Sequence, residues 1–564
     1  MDRRTLLAFL LATVVLVVYQ LIAPPPGDRN PPRSEPADAA VTRESTQSAP
    51  FADTAARNGT ALPAPEAAPV TAGGWPTPPR SLQRTDVVKT EVVLQSVEAV
   101  TIANADMAIQ ISPLGATPTQ WSLSRWTDAR EQEVRLVSRQ NARLFEMAIV
   151  DDGSRIEFPD IQFEQQPSVD GQARFAATGP DGQRIALDYR LDDTYQVALE
   201  VTLTGFENPD GERSLEIVFP RGIPSQEKIS KQDEQSAAAM AMVGNRLVKH
   251  LHHGKKAGWA EEEEGVVRWI GMRSKYFLVS IVPAQSPDAQ VSFRRERGEP
   301  DLSATLLLPL GLSGESRFSF GLYGGPMEYR RLEGLGVNLE KAVDLGWSIF
   351  LPLTRLLLRF FQWMHGAVPN YGVVIVILSV MVKLIFYPLT KASLNSMKQM
   401  QALKPEMDRL AEKYKDEPEK RNKSTLELYQ KHKVNPVSGC LPILIQIPVF
   451  GALYNVFNTA IELRKAPFGL WIQDLSAPDK VGAILGFPLH VLPLLLAATA
   501  IIQQKLTPTD PRQAALMYLL PVITTVFFYT LPSGLVLYWT VTNVLQIGQQ
   551  ILVNRSSAPL AKAA

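Results

Sequence analysis

Cysteine is almost absent, and the single one, Cys440, excludes an intrachain disulfide. It begins an apolar run, "CLPILIQIPVF", with no His or Asp near it in sequence, so it reads as a small buried hydrophobe and not a nucleophile. Charge imbalance is absent as well. Lys+Arg and Asp+Glu both number 57, which gives no sign of an overall acidic or basic partner. Catalytic signatures are missing: there is no P-loop, no G-x-S-x-G, no H-E-x-x-H and no G-x-G-x-x-G. Ser533 in "LPSG" has no His or Lys nearby and reads as a turn serine. His250, His252 and His253 lack a Cys or carboxylate at ligand spacing and read as part of a solvated loop. No enzyme activity, cofactor, metal or nucleic-acid recognition is expected, and hydrolysis-driven transport is excluded by the missing nucleotide motif.

What the chain does have is apolar sequence, unevenly placed. Residues from about 24 to 340 look soluble, whereas 345–553 consists of apolar runs around one charged insert. The N-terminus, "MDRRTLLAFLLATVVLVVYQLIA", follows two arginines with 19 uncharged residues, Thr5 to Ala23. That is enough to cross about 30 Å of hydrocarbon. The run ends without a small-x-small site, and its length weakens the twin-arginine reading of "DRRTLL". An uncleaved anchor over 1–23 is expected, with Arg3 and Arg4 in the cytoplasm. Residues 24–85, rich in Pro, Ala and charge, cannot bury a core and should form a disordered tether.

From 86 to 330 the pattern is strand-like. Segments such as "YQVALEVTLTGF", "SLEIVFPRG" and "RFSFGLYGGP" alternate and are punctuated by Gly, Pro, Asp and Asn. A large all-β domain of two packed sheets is expected. Residues 331–369 then read as helical. Arg355 and Arg359 lie four apart among Trp347, Phe350, Phe360, Phe361 and Trp363, which suits an amphipathic helix at the membrane surface.

Five further spans are expected, at about 370–390, 438–461, 482–505, 514–531 and 534–553. The last two are joined by "LPSG", short enough to force an antiparallel pair. Lys391 to Lys433 holds eleven Lys or Arg, against three (Arg464, Lys465, Lys480) between the third and fourth spans. The basic insert, 391–437, is therefore cytoplasmic, both termini lie with it, and the β domain lies across the membrane. The insert reads as two antiparallel helices broken around Asp416-Glu417-Pro418. Its seam would set Met397, Met400, Leu403, Met407, Leu410 and Tyr414 against Leu426, Tyr429 and His432. A short tail, 554–564, follows the last span.

Polarity within the spans is the remaining signal. Lys383 lies in "VVIVILSVMVKLIFYPLTK", with Ser379 one turn earlier. Other spans carry Gln446, Thr499, Gln503, Gln504, Thr524, Thr525, Thr540, Thr542, Asn543 and Gln546, while Asp and Glu are absent from all five. In lipid such groups turn inward, towards each other or a wet cavity. Two readings of Lys383 stand side by side. It can line a functional cavity, or it can snorkel to cytoplasmic headgroups, because Lys391 is only roughly 12 Å further along a helix.

"YPLTKAS" (Tyr387–Ser393), "VNPVSGCLPILIQIPVFGALY" (Val434–Tyr454), "ELRKAPFGLWIQDLS" (Glu462–Ser476) and "LPSGLVLYWTVTN" (Leu531–Asn543) closely resemble the YidC/Oxa-type membrane protein insertases. The match runs in order across most of 370–553. The preceding anchor and β domain resemble the Gram-negative form, whose periplasmic domain is a supersandwich. The resemblance implies a six-span α-helical inner-membrane bundle, five spans forming its core, with a cytoplasmic helical hairpin. It implies insertion and chaperoning of nascent membrane proteins, alone or beside the Sec translocon. The site implied is a hydrophilic groove open to cytoplasm and lipid, with Lys383 as its charge. The best-known Gram-negative members carry arginine there, so charge is kept while the bidentate fork is lost. Gln446, Thr525 and Asn543 match polar groove positions beside Ser379, and Phe450 and Trp539 resemble substrate-contacting apolar positions. Membrane lipids are further implied partners, and the hairpin is the expected contact for ribosome, targeting factor or translocon. The rival classes are a polytopic transporter or channel, for which no repeat symmetry is seen, and a carbohydrate-binding β module on an anchor.

Overall fold

In Gln196–Thr204 the side chains of Val197, Leu199, Val201 and Leu203 are at most 1% exposed, while their neighbours point the other way. This is the two-residue period of a pleated strand with one buried face. The computed structural model describes residues 99–556 apart from 138–142, 152–153, 193, 228–229, 252–257, 286, 296–301, 347–348, 416, 433, 435–440, 485 and 507–513. The expected anchor and tether, His252, His253, Cys440 and residues 557–564 lie outside the described residues. The described chain divides into a β unit, reaching Gly324, and a helical unit that comprises the residues after it together with Lys275–Leu278.

Antiparallel ladders build the β unit. Gln196–Thr204 lies between Arg184–Leu191 and Glu315–Pro326. Ser303–Pro309 lies between Ser214–Phe219 and Asp288–Arg295. Instead of two separate sheets, 14 strands form one hydrogen-bonded network, beside a four-stranded sheet that starts at Val100–Ala103. The join is the 15-residue strand Trp259–Arg273. Its first half pairs with Asp288–Arg295 and its second half with Ala238–Val243. Gly265 sits at the change-over with φ +140°, a backbone conformation open to glycine and rare for other residues. The partner strand shifts register beside it, at Met242/Val243. Trp121 and Trp269, both 0% exposed, are among the largest side chains of the core.

The helical unit contains α2 (Tyr329–Gly334) and α3 (Leu351–Ala367), numbered after α1 (Ser230–Ser236) of the β unit. They are followed by α4 (Tyr371–Ile385), α5 (Tyr387–Ala402), α6 (Lys404–Lys413), α7 (Pro418–Lys431) and α8 (Leu441–Thr459). The last three are α9 (Val491–Leu506), α10 (Ala514–Phe528) and α11 (Ser533–Ser556). Among the described residues no single helix is long and apolar enough to cross a membrane, but α4 and α5 together are, with a 61° bend between them. Pro388 accounts for the bend. It has no N–H, and its ring collides with the carbonyl one turn back, so the helix restarts at Tyr387.

Proline also divides the charged insert. Pro405 starts a new helix after Leu403, so the methionine seam expected from Met397 to Tyr414 is not one straight face. Below the break α6 meets α7, where the Tyr429 hydroxyl donates to Met407 Sδ at 3.1 Å. Residues 331–369 hold the end of α2, a short 3-10 turn at Leu339–Ala342, and α3, which carries Arg355 and Arg359. The stretch expected as a span from 482 begins as a hairpin, Gly482–Ile484 with Phe487–Leu489, and helix starts only at Val491. Asp479 sets that start: its Oδ2 accepts from Val491 N and Leu492 N, each at 2.8 Å, and from Trp471 Nε1 at 2.9 Å. A carboxylate at a helix N-terminus satisfies free N–H groups and the dipole together. The expected tight pairing of the last two spans is also modified. Ser533 N and Gly534 N donate to Ala477 O (2.8 Å) and Leu475 O (2.9 Å), tying the "LPSG" link to the preceding loop. Helix α11 then packs chiefly on α9 and α4.

A Cβ on Gly324 would stand 2.5 Å from the indole of buried Trp121. Gly324→Ala should therefore destabilise the β unit by about 1–3 kcal/mol, read as a lower urea midpoint with unchanged slope.

Candidate functional site

The sequence of α4 is apolar on nearly every side, and its lysine enters the protein from the last turn. Lys383 Nζ donates to Gln546 Oε1 of α11. Helix α4 is fixed at its other end by Asn370, whose Oδ1 caps Val373 N at 3.1 Å and whose Nδ2 donates to Phe468 O at 3.0 Å. The α4–α5 elbow is tied to α11 along its length. Gln549 Nε2 donates to Thr390 Oγ1 at 2.8 Å, and Lys398 Nζ donates to Val553 O at 2.8 Å.

Around Lys383 is a cavity of about 30 Å³, lined also by Val382, Phe386, Thr390, Gln446, Tyr538 and Thr542. It has room for one or two waters. Tyr538 is fully buried, and its hydroxyl lies beside Thr542 and Gln446. Tyr538, Thr542 and Gln446 thus form a small polar cluster inside an otherwise apolar bundle.

Of the polar residues expected to converge, Lys383, Gln446 and Thr542 share this cavity, and Gln546 bonds the lysine. Ser379 is 0% exposed, but its hydroxyl donates to Ile375 O of its own helix at 2.8 Å. Thr525 similarly donates to Pro521 O at 2.6 Å, taking up a carbonyl that lies near the helix proline. Asn543 Nδ2 reaches Thr499 Oγ1 of α9 at 3.5 Å, so it joins α11 to α9 and does not line the lysine cavity. Phe450 and Trp539 do meet, edge to face, with centroids 5.3 Å apart. Phe528 of α10 completes the cluster, 5.6 Å from Trp539 and 6.3 Å from Phe450.

Three residues of one helix are central here: Gln546 and Thr542, which the sequence marked only as polar span residues, and Tyr538, which it did not mark. The signal was present in their spacing. Positions 538, 542 and 546 are four apart and lie on one face of α11. Phe528 carried no polar signal and is identified only by its neighbours.

Comparison with known proteins agrees along the length of both units. Residues 99–358 match the YidC periplasmic domain, and 363–560 match the family described as 60Kd inner membrane protein. The membrane protein insertase YidC of Pelodictyon phaeoclathratiforme is 33% identical over 522 residues, covering 83% of this chain and 89% of the relative. That of Geobacter sulfurreducens is 39% identical over 398 residues, covering 69% and 72%. That of Chlorobaculum tepidum is 30% identical over 598 residues, covering 100% and 96%. Matched in both units by family models and over most of its length by such relatives, the chain belongs to the YidC family of membrane protein insertases.

Proposed function

We propose that the chain inserts and chaperones nascent inner-membrane proteins, and that α4, α8, α10 and α11 provide the path. The observation that carries this reading is Lys383. Its cavity is lined by α4, α5, α8 and α11, whose sequences contain no Asp or Glu, and its hydrogen-bond partner is a neutral amide. A half-buried ammonium whose partner is an amide and not a carboxylate can receive a carboxylate from an arriving segment.

Family membership puts the chain in the inner membrane, with residues 99–358 as its periplasmic domain. The finer arrangement follows the apolar runs and their charge bias. In this reading six spans cross the membrane, five form the core, and both termini and the helices α6 and α7 are cytoplasmic. The groove opens to cytoplasm and lipid, and Ser379, Gln446, Thr525 and Asn543 supply its polarity while Phe450 and Trp539 meet apolar substrate. A wet half-path shortens the dry distance that polar backbone must cross. Partitioning of the apolar segment into lipid, with the membrane potential acting on its charges, drives the step. The ribosome, a targeting factor or the Sec translocon would meet the cytoplasmic helices. The β unit is read as a supersandwich and as an accessory to this path.

Lys383→Glu should lower insertion of substrates with acidic translocated tails by about tenfold or more, whereas Lys383→Arg should retain most of it. Insertion yields in reconstituted vesicles check this, and equal loss in both variants would remove electrostatics from the account. Deletion of residues 30–320 should leave insertion of a small single-span substrate intact. Its complete loss, with the helical unit still folded, would shift the function to the β unit.

A further inference from the structure

We propose that Glu462 is a proton-binding site, a carboxylic acid that closes a ring of two hydrogen bonds with the Gln362 amide and fastens α3 to the end of α8. The pair rests on its geometry alone; that its proton comes from the periplasmic side rests on the topology proposed above.

Glu462 lies in the 3-10 turn Ile461–Leu463 that follows α8, between side chains that are 0% and 1% exposed. Helix α3 packs on α8, with Phe361 and Phe457 edge to face at 5.8 Å. One residue after Phe361, Gln362 Nε2 donates to Glu462 Oε1 at 2.8 Å. The other amide atom, Gln362 Oε1, is buried and has no hydrogen-bond partner. An ionised carboxylate can only accept, so it leaves that oxygen unsatisfied. A protonated carboxyl offers one O–H donor and one carbonyl acceptor, which is what the two ends of the amide require.

No cation offsets a negative charge here. Among the described residues Glu462 has no ion pair: Arg359 faces Glu333, Arg355 lies over the Tyr329 ring, and Arg464 lies over Tyr276 and Phe277. The titratable groups that face it are Glu328, which pairs with Arg331, and Tyr371 of α4, whose ring stacks on His365. Burial raises the Glu462 carboxyl above its ordinary value; its own backbone N–H and the Gln362 amide oppose the rise, and the Glu328 carboxylate adds to it. A proton from water adds to the carboxylate, and no other bond changes. Because its value is raised, the carboxyl stabilises the folded state at acid pH and loses that contribution as pH climbs through the folded value. Ionised Glu462 then sets a charge beside Phe361 and Phe457 and loosens α3 on α8.

Infrared spectroscopy of the full-length protein, in vesicles of phosphatidylethanolamine and phosphatidylglycerol, tests the pair through the C=O stretch of a protonated carboxyl. The unaltered chain should show such a band at about pH 5, fading towards about pH 8, and E462Q should lose it. Q362L keeps Glu462, and its band should move to higher frequency because the carbonyl loses an N–H donor; this decides the matter if E462Q does not fold. No band assignable to Glu462 by either comparison would overturn the proton site. A nitroxide at position 366, where a side chain meets nothing within 4 Å, reads the seating of α3 in a C440A/G366C background. Its mobility should rise between about pH 5 and about pH 8, and E462Q, an uncharged mimic of the acid, should keep it flat. A rise that persists in E462Q belongs to His365 and would overturn the coupling to α3. When pH is stepped on one side of the membrane, the band should follow the side on which the β unit is open to protease. If it follows the other side, the pair stands and the proposed topology fails.

Discussion

A cation held in an apolar bundle, with an amide and no carboxylate as its partner among the described residues, is the constraint around which the helical unit is organised. Lys383 sits near the end of a helix whose other residues are almost all apolar, and its neighbour across the bundle is an amide. Burial of a charge is costly, and an amide returns less of that cost than a carboxylate does. The bundle accommodates the cost by fixing α4 and α5 to α11 through Gln546, Gln549 and Val553 O. The same contacts hold the lysine at the cavity that the proposed path uses. Its stability and its proposed function therefore depend on one unsaturated interaction.

The loop from Glu462 to Lys480 fixes the opposite end. Asp474 Oδ1 accepts from Lys465 N, Ser476 N and Ser476 Oγ between 2.8 and 3.1 Å. Its carbonyl accepts from Ser533 Oγ at 2.6 Å, and Asp479 organises the first turn of α9. The Asp479 carboxylate thus sets where α9 begins, and the backbone carbonyls of Asp474, Leu475 and Ala477 set where α11 begins, and with it where Trp539 and Tyr538 stand. The aromatic cluster of Phe450, Phe528 and Trp539 draws on three helices, so it depends on this framing. Polar contacts at the ends position an apolar and hydroxyl-rich middle.

Much of this was legible in the sequence, and the misses have physical causes. Alternation in "YQVALEVTL" gave Gln196–Thr204 directly, because a half-buried strand must alternate. The family resemblance implied substrate-contacting apolar positions at Phe450 and Trp539, and in the structure their rings meet. The elbow between α4 and α5 was hidden because the apolar run continues past Ile385, while Pro388 breaks the helix within it. The hairpin at 482–489 was hidden because an uncharged apolar run looks alike as strand or helix. Gln546 was visible as a polar residue in a span, but nothing in one sequence says which of several such residues faces the lysine. That choice is made by the rotation of α11, which packing on α9 and α4 decides.

The central claim is that an arriving membrane protein passes between Lys383 and the Phe450–Trp539 cluster. Site-specific photocrosslinking from positions 383 and 539 to a stalled nascent single-span protein tests it most directly. The account predicts strong crosslinks from both positions, moving along the nascent chain as it lengthens. Crosslinks confined to other helices, with none from 383 or 539, would contradict it.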